Sequence, residues 1–356
     1  MKEKLQKIYS SKVVQAIFII LPFVEFITSY MVLNVDFPIT LGVIYKTLFL
    51  IYGLGYLIFV DKENRKWNFI LLGLFAVTII ANIVFTLSSF SMSALMNKAV
   101  SMTKYMCLPV TLFFLYRYLK NGNEFSLKTL VYSAGIYATA ILISAITGTA
   151  LPTYDTAPER GISGWIYSGN ELSAMMSLFY PIVIYYAAKY KSLSFMFILA
   201  VMTYGLLVIG TKTALIGLIG AILGILIFSI IAYAWKRKKI AKSTLIITLI
   251  LTVAVAIAMP YSPSYKYIEG KINKIINQSK NPDGENNQSS VENLIFNGRE
   301  KYVYEQKQLA GNASPLELLI GLKDEHRVID DTGNYTVVER DFHDVKFGYG
   351  IIGLGI

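Results

Sequence analysis

Charge is scarce in this chain. Only 16% of its 356 residues are Asp, Glu, Lys or Arg, whereas a soluble domain carries about 25%. Cysteine is nearly absent: Cys107 stands alone, so no internal disulfide can form and pairing says nothing about the compartment. Histidine is limited to His326 and His343. The chain also lacks a Walker loop, a Gly-rich dinucleotide turn after a strand, and a serine nucleophile elbow. Those absences remove the common nucleotide-driven and serine-hydrolase chemistries. No cleavable signal sequence is evident, because the first apolar run is too long and no small-residue cleavage site follows it.

What remains is apolar. Hydrophobic residues make up 54% of the chain, and its mean hydropathy is +0.51. Apolar runs recur near residues 13–33, 39–60, 67–88, 98–118, 126–148, 170–188, 192–209, 213–234 and 243–259, with a last one from 344 onward. Each of the first nine has the length a helix needs to cross a hydrocarbon core. The tenth stops short, so the sequence is read as ending inside a span. The expected fold class is all-α: a polytopic membrane helix bundle of about ten spans, the last incomplete, with one long outer-face loop. Residues 1–148 form N-terminal transmembrane helices, and 149–356 form a second region that includes the loop 260–342.

The formal net charge of +10 comes from topology rather than from nucleic-acid binding. Lys2, Lys4, Lys7, Lys12, Lys62, Arg65, Lys66, Arg117, Lys120, Lys128, Lys189, Lys191, Lys236, Arg237, Lys238, Lys239 and Lys242 all fall in one set of loops. The opposite short loops hold only Arg160 and Lys212. Positive loops stay inside, so the N-terminus is expected in the cytoplasm and the 260–342 loop outside a cell membrane. Trp67 and Trp235 fall at the inner interface, as belt residues do.

The outer loop carries 13 acids and 10 basic residues. "NQSKNPDGENNQSS" (277–290) reads as a flexible linker. "SVENLIFNGREKYVYEQKQLA" after it reads as a helix with Ser289 or Ser290 as cap and Glu292 in its first turn. "SPSYKYIEGKINKIINQ" before it reads as an amphipathic helix on the outer surface.

Charged residues inside spans are costly and point to function. Glu25, Lys46, Lys98 and Lys104 qualify. Lys46 and Lys98 lie close enough to the outer end to snorkel; Lys104 lies deeper and is assigned to a cavity. With Lys212, Arg160 and Arg299, these cations gather toward the outer side. A diphosphate suits such a cluster, because the arginine fork grips phosphate oxygens in pairs. "VERDFHDVKFGYG" places Glu339, Asp341, His343 and Asp344 just before the last apolar run, so a general base there is a carboxylate or an imidazole. Its spacing is not specific to a metal site.

Four stretches then resemble the O-antigen ligase and polymerase superfamily of bacterial integral membrane glycosyltransferases. "RGISGWIYSGNELSA" is similar to the family's Arg-x-x-Gly turn, followed by an Asn-containing turn entering a span; it holds Arg160 and Asn170. "LLVIGTKTALIGLIGAILG" resembles the family's span pair with a polar turn and a basic residue, here Lys212. "FNGREKYVYEQ" resembles the Gly-Arg that opens the outer-loop helix, and "VERDFHDVKFGYGIIGL" resembles the loop's end. The likeness runs over about 155–356, and earlier spans agree only in general character. Ligase members carry a His-Asn pair before the closing Gly-Ile-Ile-Gly; counting back from Gly350 puts Glu339 and Arg340 there. An acid-x-Asp pattern at that place is more like the polymerase-type members of capsule and exopolysaccharide clusters. Lys212 replaces a frequent arginine, and Gly169 stands where proline is common.

The resemblance implies a polysaccharide polymerase that joins lipid-linked repeat units on the outer face. Its donor and partner is a polyprenyl-diphosphate-linked oligosaccharide, in the lipid bilayer and beside other polysaccharide-assembly proteins. It implies substrate binding by Arg160, Lys212, Arg299, Lys104 and Asn170, and catalysis by Glu339, Asp341 and His343. It also implies no metal, no cofactor and no nucleotide sugar. The alternatives are ligase-like transfer of glycan to a lipid or cell-wall acceptor and, from another class, a transporter or flippase of lipid-linked sugar.

Overall fold

A computed structural model describes residues 7–35, 39–87, 92–154, 157–235, 238–266, 269–270, 272–273, 299–323, 326 and 341–355. The long helices are α1 (Ser11–Asn34), α2 (Leu41–Gly55, continued by a π-helical turn, Tyr56–Val60), α3 (Arg65–Leu87), α4 (Met92–Lys120) and α5 (Leu127–Thr147). After a two-stranded hairpin, β1 (Leu151–Pro152) and β2 (Ile162–Gly164), come α6 (Gly169–Tyr190), α7 (Leu193–Val208), α8 (Lys212–Ala234) and α9 (Lys238–Ala258). Three further helices follow: α10 (Arg299–Ala310), α11 (Pro315–Ile320) and α12 (Asp341–Gly355). Among the described residues seven helices are long and apolar enough to cross a membrane: α1, α2 with its π-turn, α4 from Ala99, α5, α6, α8 and the stretch Ala241–Tyr261. The apolar α7 is shorter, at 16 residues. The chain is a multi-pass, all-α membrane helix bundle, and its exterior is apolar, as lipid requires: Leu178 and Phe228 are 75% and 71% exposed.

Capping side chains set several helix ends. Ser126 Oγ accepts from Lys128 N at the start of α5. Thr211 Oγ1 accepts from Ala214 N at 3.0 Å at the start of α8. Each satisfies one of the amides that a helix start leaves unpaired. Gly148 ends α5 in the left-handed region at φ 68°, where glycine carries no Cβ penalty.

Contacts divide the chain into two units: 1–5, 38–123 and 283–356 in the first, 6–37 and 124–282 in the second. The second unit holds an extended buried core. Its core joins α5, α6, α7 and α8 through Ile141, Met176, Tyr180, Met202, Leu206 and Leu218. Small residues permit that closeness. A Cβ on Gly205 would come 2.8 Å from Met176, and one on Gly217 would fall 2.1 Å from Ser177 Oγ. The buried Tyr180 hydroxyl is not orphaned, because it shares a 2.6 Å hydrogen bond with Thr203 Oγ1.

In the first unit α2 lies on α4 with Gly53 against Val110 and Phe114. Tyr56 meets both Phe114 and Tyr118 edge to face there. A buried polar clasp closes one end. Asp61 is 1% exposed; it faces Arg117 Nε at 3.6 Å and accepts from Asn68 Nδ2 at 3.1 Å and Asn121 Nδ2 at 3.3 Å. The sequence places Asp61 in a short polar loop, whereas the fold buries it.

Two loop expectations meet the described residues. Helix is present at 263–266, 269–270 and 272–273, in line with the amphipathic segment, and α10 occupies the later part of the helix expected after 289. Ser289, Ser290, Glu292 and the 277–290 linker lie outside the described residues.

Candidate functional site

The polar turn between α5 and α6 is a small built structure. Leu151 pairs with Gly164 and Pro152 with Ile162 in antiparallel register, and Thr153 N donates to Gly161 O at 2.9 Å. Pro158–Arg160 make one 3-10 turn at the tip. Glycines fit this hairpin to its neighbours. Gly164 sits at φ 70°, with a Cβ position 2.9 Å from the Ile141 backbone, and a Cβ on Gly169 would fall 2.6 Å from Thr153 Cγ2.

That hairpin is locked to the turn between α7 and α8. Thr153 Oγ1 donates to the Ile209 carbonyl. The backbones of Arg160–Gly161 and Ile209–Gly210 touch so closely that neither glycine has room for a side chain. Thr211 follows, its carbonyl accepting from Ser264 Oγ at 3.2 Å, and Lys212 is the first residue of α8. Ser29 near the end of α1 accepts from Tyr167 N at 2.9 Å. One end of the second unit thus gathers Arg160, Lys212 and, at the start of α6, Asn170. Asn170 Oδ1 accepts a long hydrogen bond from the Tyr154 hydroxyl, at 3.5 Å.

This rim carries charges of both signs, with the acids Glu159 and Glu171 beside the cations Arg160 and Lys212. Two helix starts, α6 and α8, present their positive ends beside Arg160 and Lys212. Arg160 lies 4.0 Å from Glu159, with side chains 45% and 75% exposed. So exposed a pair is held weakly.

The other sequence-designated residues fall in the first unit. Lys104 is exposed on α4, next to Tyr105, which stacks on Tyr349 at 4.0 Å and donates to the Gly353 carbonyl. Arg299 begins α10 and Asp341 begins α12; their side chains, and Glu339 altogether, lie outside the described residues. His343 is half-buried in the first turn of α12, its ring 6.0 Å from Phe347. Val303 of α10, Leu322 and Phe347 of α12 share one apolar cluster, which ties the two helices together. The structure therefore joins Arg160, Lys212 and Asn170 within one unit and places Lys104, Arg299, Asp341 and His343 in the other.

One pair was passed over by sequence reasoning. Glu317, 2% exposed, faces His326 Nδ1 at 2.7 Å. Its signal was legible: Ser314-Pro-Leu-Glu317 ahead of Leu318 and Leu319 is a capping box with proline at the first helical position, and the structure forms that box. The histidine, nine residues away, carries no such local mark. No group of three or more His, Cys, Asp or Glu that could hold a metal is found among the described residues.

Comparison with known proteins agrees with this architecture. No curated protein and no solved structure matches the chain. The sequence model of one family matches residues 9–293, most of the chain, and takes in Lys104, Arg160, Asn170 and Lys212 while stopping short of Arg299. With its helix bundle and its locked polar turns inside the matched stretch, the chain belongs to the family of O-antigen ligase like membrane proteins.

Proposed function

We propose that this protein is a polysaccharide polymerase, transferring a growing glycan from a polyprenyl diphosphate to the end of another lipid-linked repeat unit on the outer face of the cell membrane. The observation that carries this reading is the lock between the Arg160 turn and the Gly210–Lys212 turn. It fixes two cations beside two helix starts in a family of membrane proteins that act on glycans. In the reaction the acceptor hydroxyl oxygen attacks the anomeric carbon and the bond to the diphosphate oxygen breaks. The electron pair leaves with the diphosphate. Stabilising that developing charge is the main electrostatic task, and Arg160, Lys212 and Arg299 perform it, with Lys104 and Asn170 binding the donor. Displacement from the opposite side inverts the anomeric centre. The acceptor proton passes to a base near the end of the outer loop, where Glu339, Asp341 and His343 cluster in sequence.

The test is reconstitution of the full chain in vesicles with lipid-linked repeat units, followed by sizing of the lipid-linked glycan. A ladder of longer lipid-linked glycans supports polymerisation. Glycan moved to a different acceptor identifies a ligase, and repeat units moved across the bilayer without elongation identify a transporter; either outcome replaces this reading.

A further inference from the structure

Arg117, at the end of α4, is a buried cation whose hydrogen bonding the fold leaves incomplete. Its side chain is 8% exposed, yet Nε has no hydrogen-bond partner among the described residues. Asp61 Oδ2, at 3.6 Å, is an ion-pair contact too long for a hydrogen bond. The carboxylate is better served. It accepts from the side-chain amides of Asn64, Asn68 and Asn121 at 3.3, 3.1 and 3.3 Å. Asp61 therefore holds the guanidinium by charge, while its own hydrogen bonds go elsewhere. A buried charged group with unmet donors is costly, and an acceptor from outside the chain would relieve that cost.

The guanidinium lies over two rings, 5.1 Å from Phe113 and 5.6 Å from Tyr116. Lys120 Nζ stands 5.9 Å from the same Tyr116 ring. Both rings line an apolar groove of about 680 Å³ in the first unit, between α3, α4 and α12. Leu108 and Leu112 of α4 and Phe342 of α12 also line it and are 67%, 60% and 80% exposed. So apolar an opening on a multi-pass protein faces hydrocarbon. On α4 the lining runs from Tyr105 to Tyr116, roughly 16 Å at 1.5 Å per residue. That is about half of a ~30 Å hydrocarbon core, the depth of one leaflet. The stretch from Asp61 to Lys66 adds Lys62, Arg65 and Lys66 at this end, against one exposed acid, Glu63.

We propose that the first unit binds an anionic phospholipid of the surrounding bilayer here, with one fatty chain in the α3–α4–α12 groove and the phosphate against Arg117 and Lys120. Apolar groove and cations meet at the Tyr116 ring, as the two halves of an amphiphile require. The arginine fork suits phosphate oxygens, and beside a wall that excludes water the contact is stronger than in bulk solvent. Basic pockets between spans hold anionic headgroups in this way. Asp61 offsets the charge of Arg117, so Arg117 supplies hydrogen-bond donors and Lys120 supplies the net charge that selects an anionic lipid. The site belongs to the first unit, whereas the turns of Arg160 and Lys212 belong to the second. Its binding therefore stands whatever reaction those turns serve.

The experiment releases the full chain from vesicles of equal parts phosphatidylglycerol and phosphatidylcholine and counts the lipids it retains by native mass spectrometry. Wild type should retain phosphatidylglycerol about fivefold over phosphatidylcholine, the worth of roughly one lysine near a membrane surface. Lys120→Gln should bring that ratio close to unity. Leu112→Trp, which fills the groove and keeps the charges, should retain less of both lipids. Lys189→Gln is the control. Lys189 lies over Tyr185 and Tyr190 at 5.7 and 5.3 Å in the second unit, and its loss should leave both readings at wild type. A wild-type ratio close to unity overturns the proposal, even if the variants fail to fold. So does an equal fall in Lys120→Gln and Lys189→Gln, which marks a general attraction to a basic surface. A Leu112→Trp chain that retains as much lipid as wild type overturns it as well. Displacement of phosphatidylglycerol by inorganic phosphate at matched ionic strength would make this a site for a free anion and end the lipid assignment.

Discussion

The carbonyl oxygen of Arg160 lies where a side chain on Gly210 would begin: a Cβ built on Gly210 falls 1.6 Å from it. Gly210 also sits at φ 80°, a backbone region that L residues rarely enter. The two turns carrying Arg160 and Lys212 can meet only because this position is glycine.

Gly210→Ala should therefore separate the two turns. The expected cost is above the ~1 kcal/mol of an ordinary left-handed penalty, because the clash is with backbone that cannot swing away. The thermal midpoint in detergent should fall and polymer formation should cease. Gly224→Ala is the control: its Cβ would meet nothing within 4 Å, and alanine favours the helix by about 1 kcal/mol. Equal midpoints for the two variants would show that the lock is unimportant.

Arg160→Lys and Arg299→Lys should each abolish most polymer while the protein still reaches the membrane. Lysine keeps the charge but loses the fork that grips paired phosphate oxygens, whereas a solvated surface arginine tolerates change within about 0.5 kcal/mol. Lipid-linked single repeat units should accumulate in those cells. Normal polymer length and amount in both variants would end the diphosphate assignment.

Asp61→Ala should destabilise the protein by about 3–5 kcal/mol, since it leaves Arg117 as a buried charge without its partner. Arg117 is 6% exposed and cannot turn to water without unpacking the end of α4. The double variant Asp61→Asn, Arg117→Leu should recover much of the loss. Denaturation in detergent measures all three chains, and a single variant as stable as wild type would show the clasp to be idle.

The strap at 321–326 should loosen in acid. The folded Glu317 pKa, about 2, lies below its ordinary 4.5. The contribution is thus complete above about 4.5 and is lost as pH falls toward 2. Exchange of the Lys323 amide, which donates to Glu317, should accelerate across that window. Glu317→Gln should exchange fast at every pH, and a pH-independent wild type would contradict the assignment of an ionised carboxylate.

Cysteines introduced at Ser289 and Lys238 should differ in intact cells. The first should react with an impermeant thiol reagent and the second should not, since seventeen cations mark one set of loops and positive loops stay inside. The reverse pattern would invert the topology and move the proposed site to the cytoplasm.

The sequence by itself determined the class of the molecule and most of its helices. Apolar runs and their flanking polar residues are local signals, because each helix satisfies its own backbone within the membrane. The run expected at 126–148 became Leu127–Thr147, and the one expected at 213–234 became Lys212–Ala234, with Ser126 and Thr211 capping where they stood. Arg160, Asn170 and Lys212 were also legible, as polar residues breaking apolar runs. Only the tertiary structure decided which of them meet. The β1–β2 hairpin has two residue pairs, too short a pattern for period-2 alternation to reveal. The contact of residue 160 with residue 210 spans two helices, and no local pattern records it. Likewise Asp61 looks like a loop residue until Arg117 and Asn121 close over it, and His326 looks solvated until Glu317 is buried against it. A helix is specified by neighbours in sequence, whereas these sites are specified by neighbours in space. Their energies depend on burial, which exists only after the helices have packed.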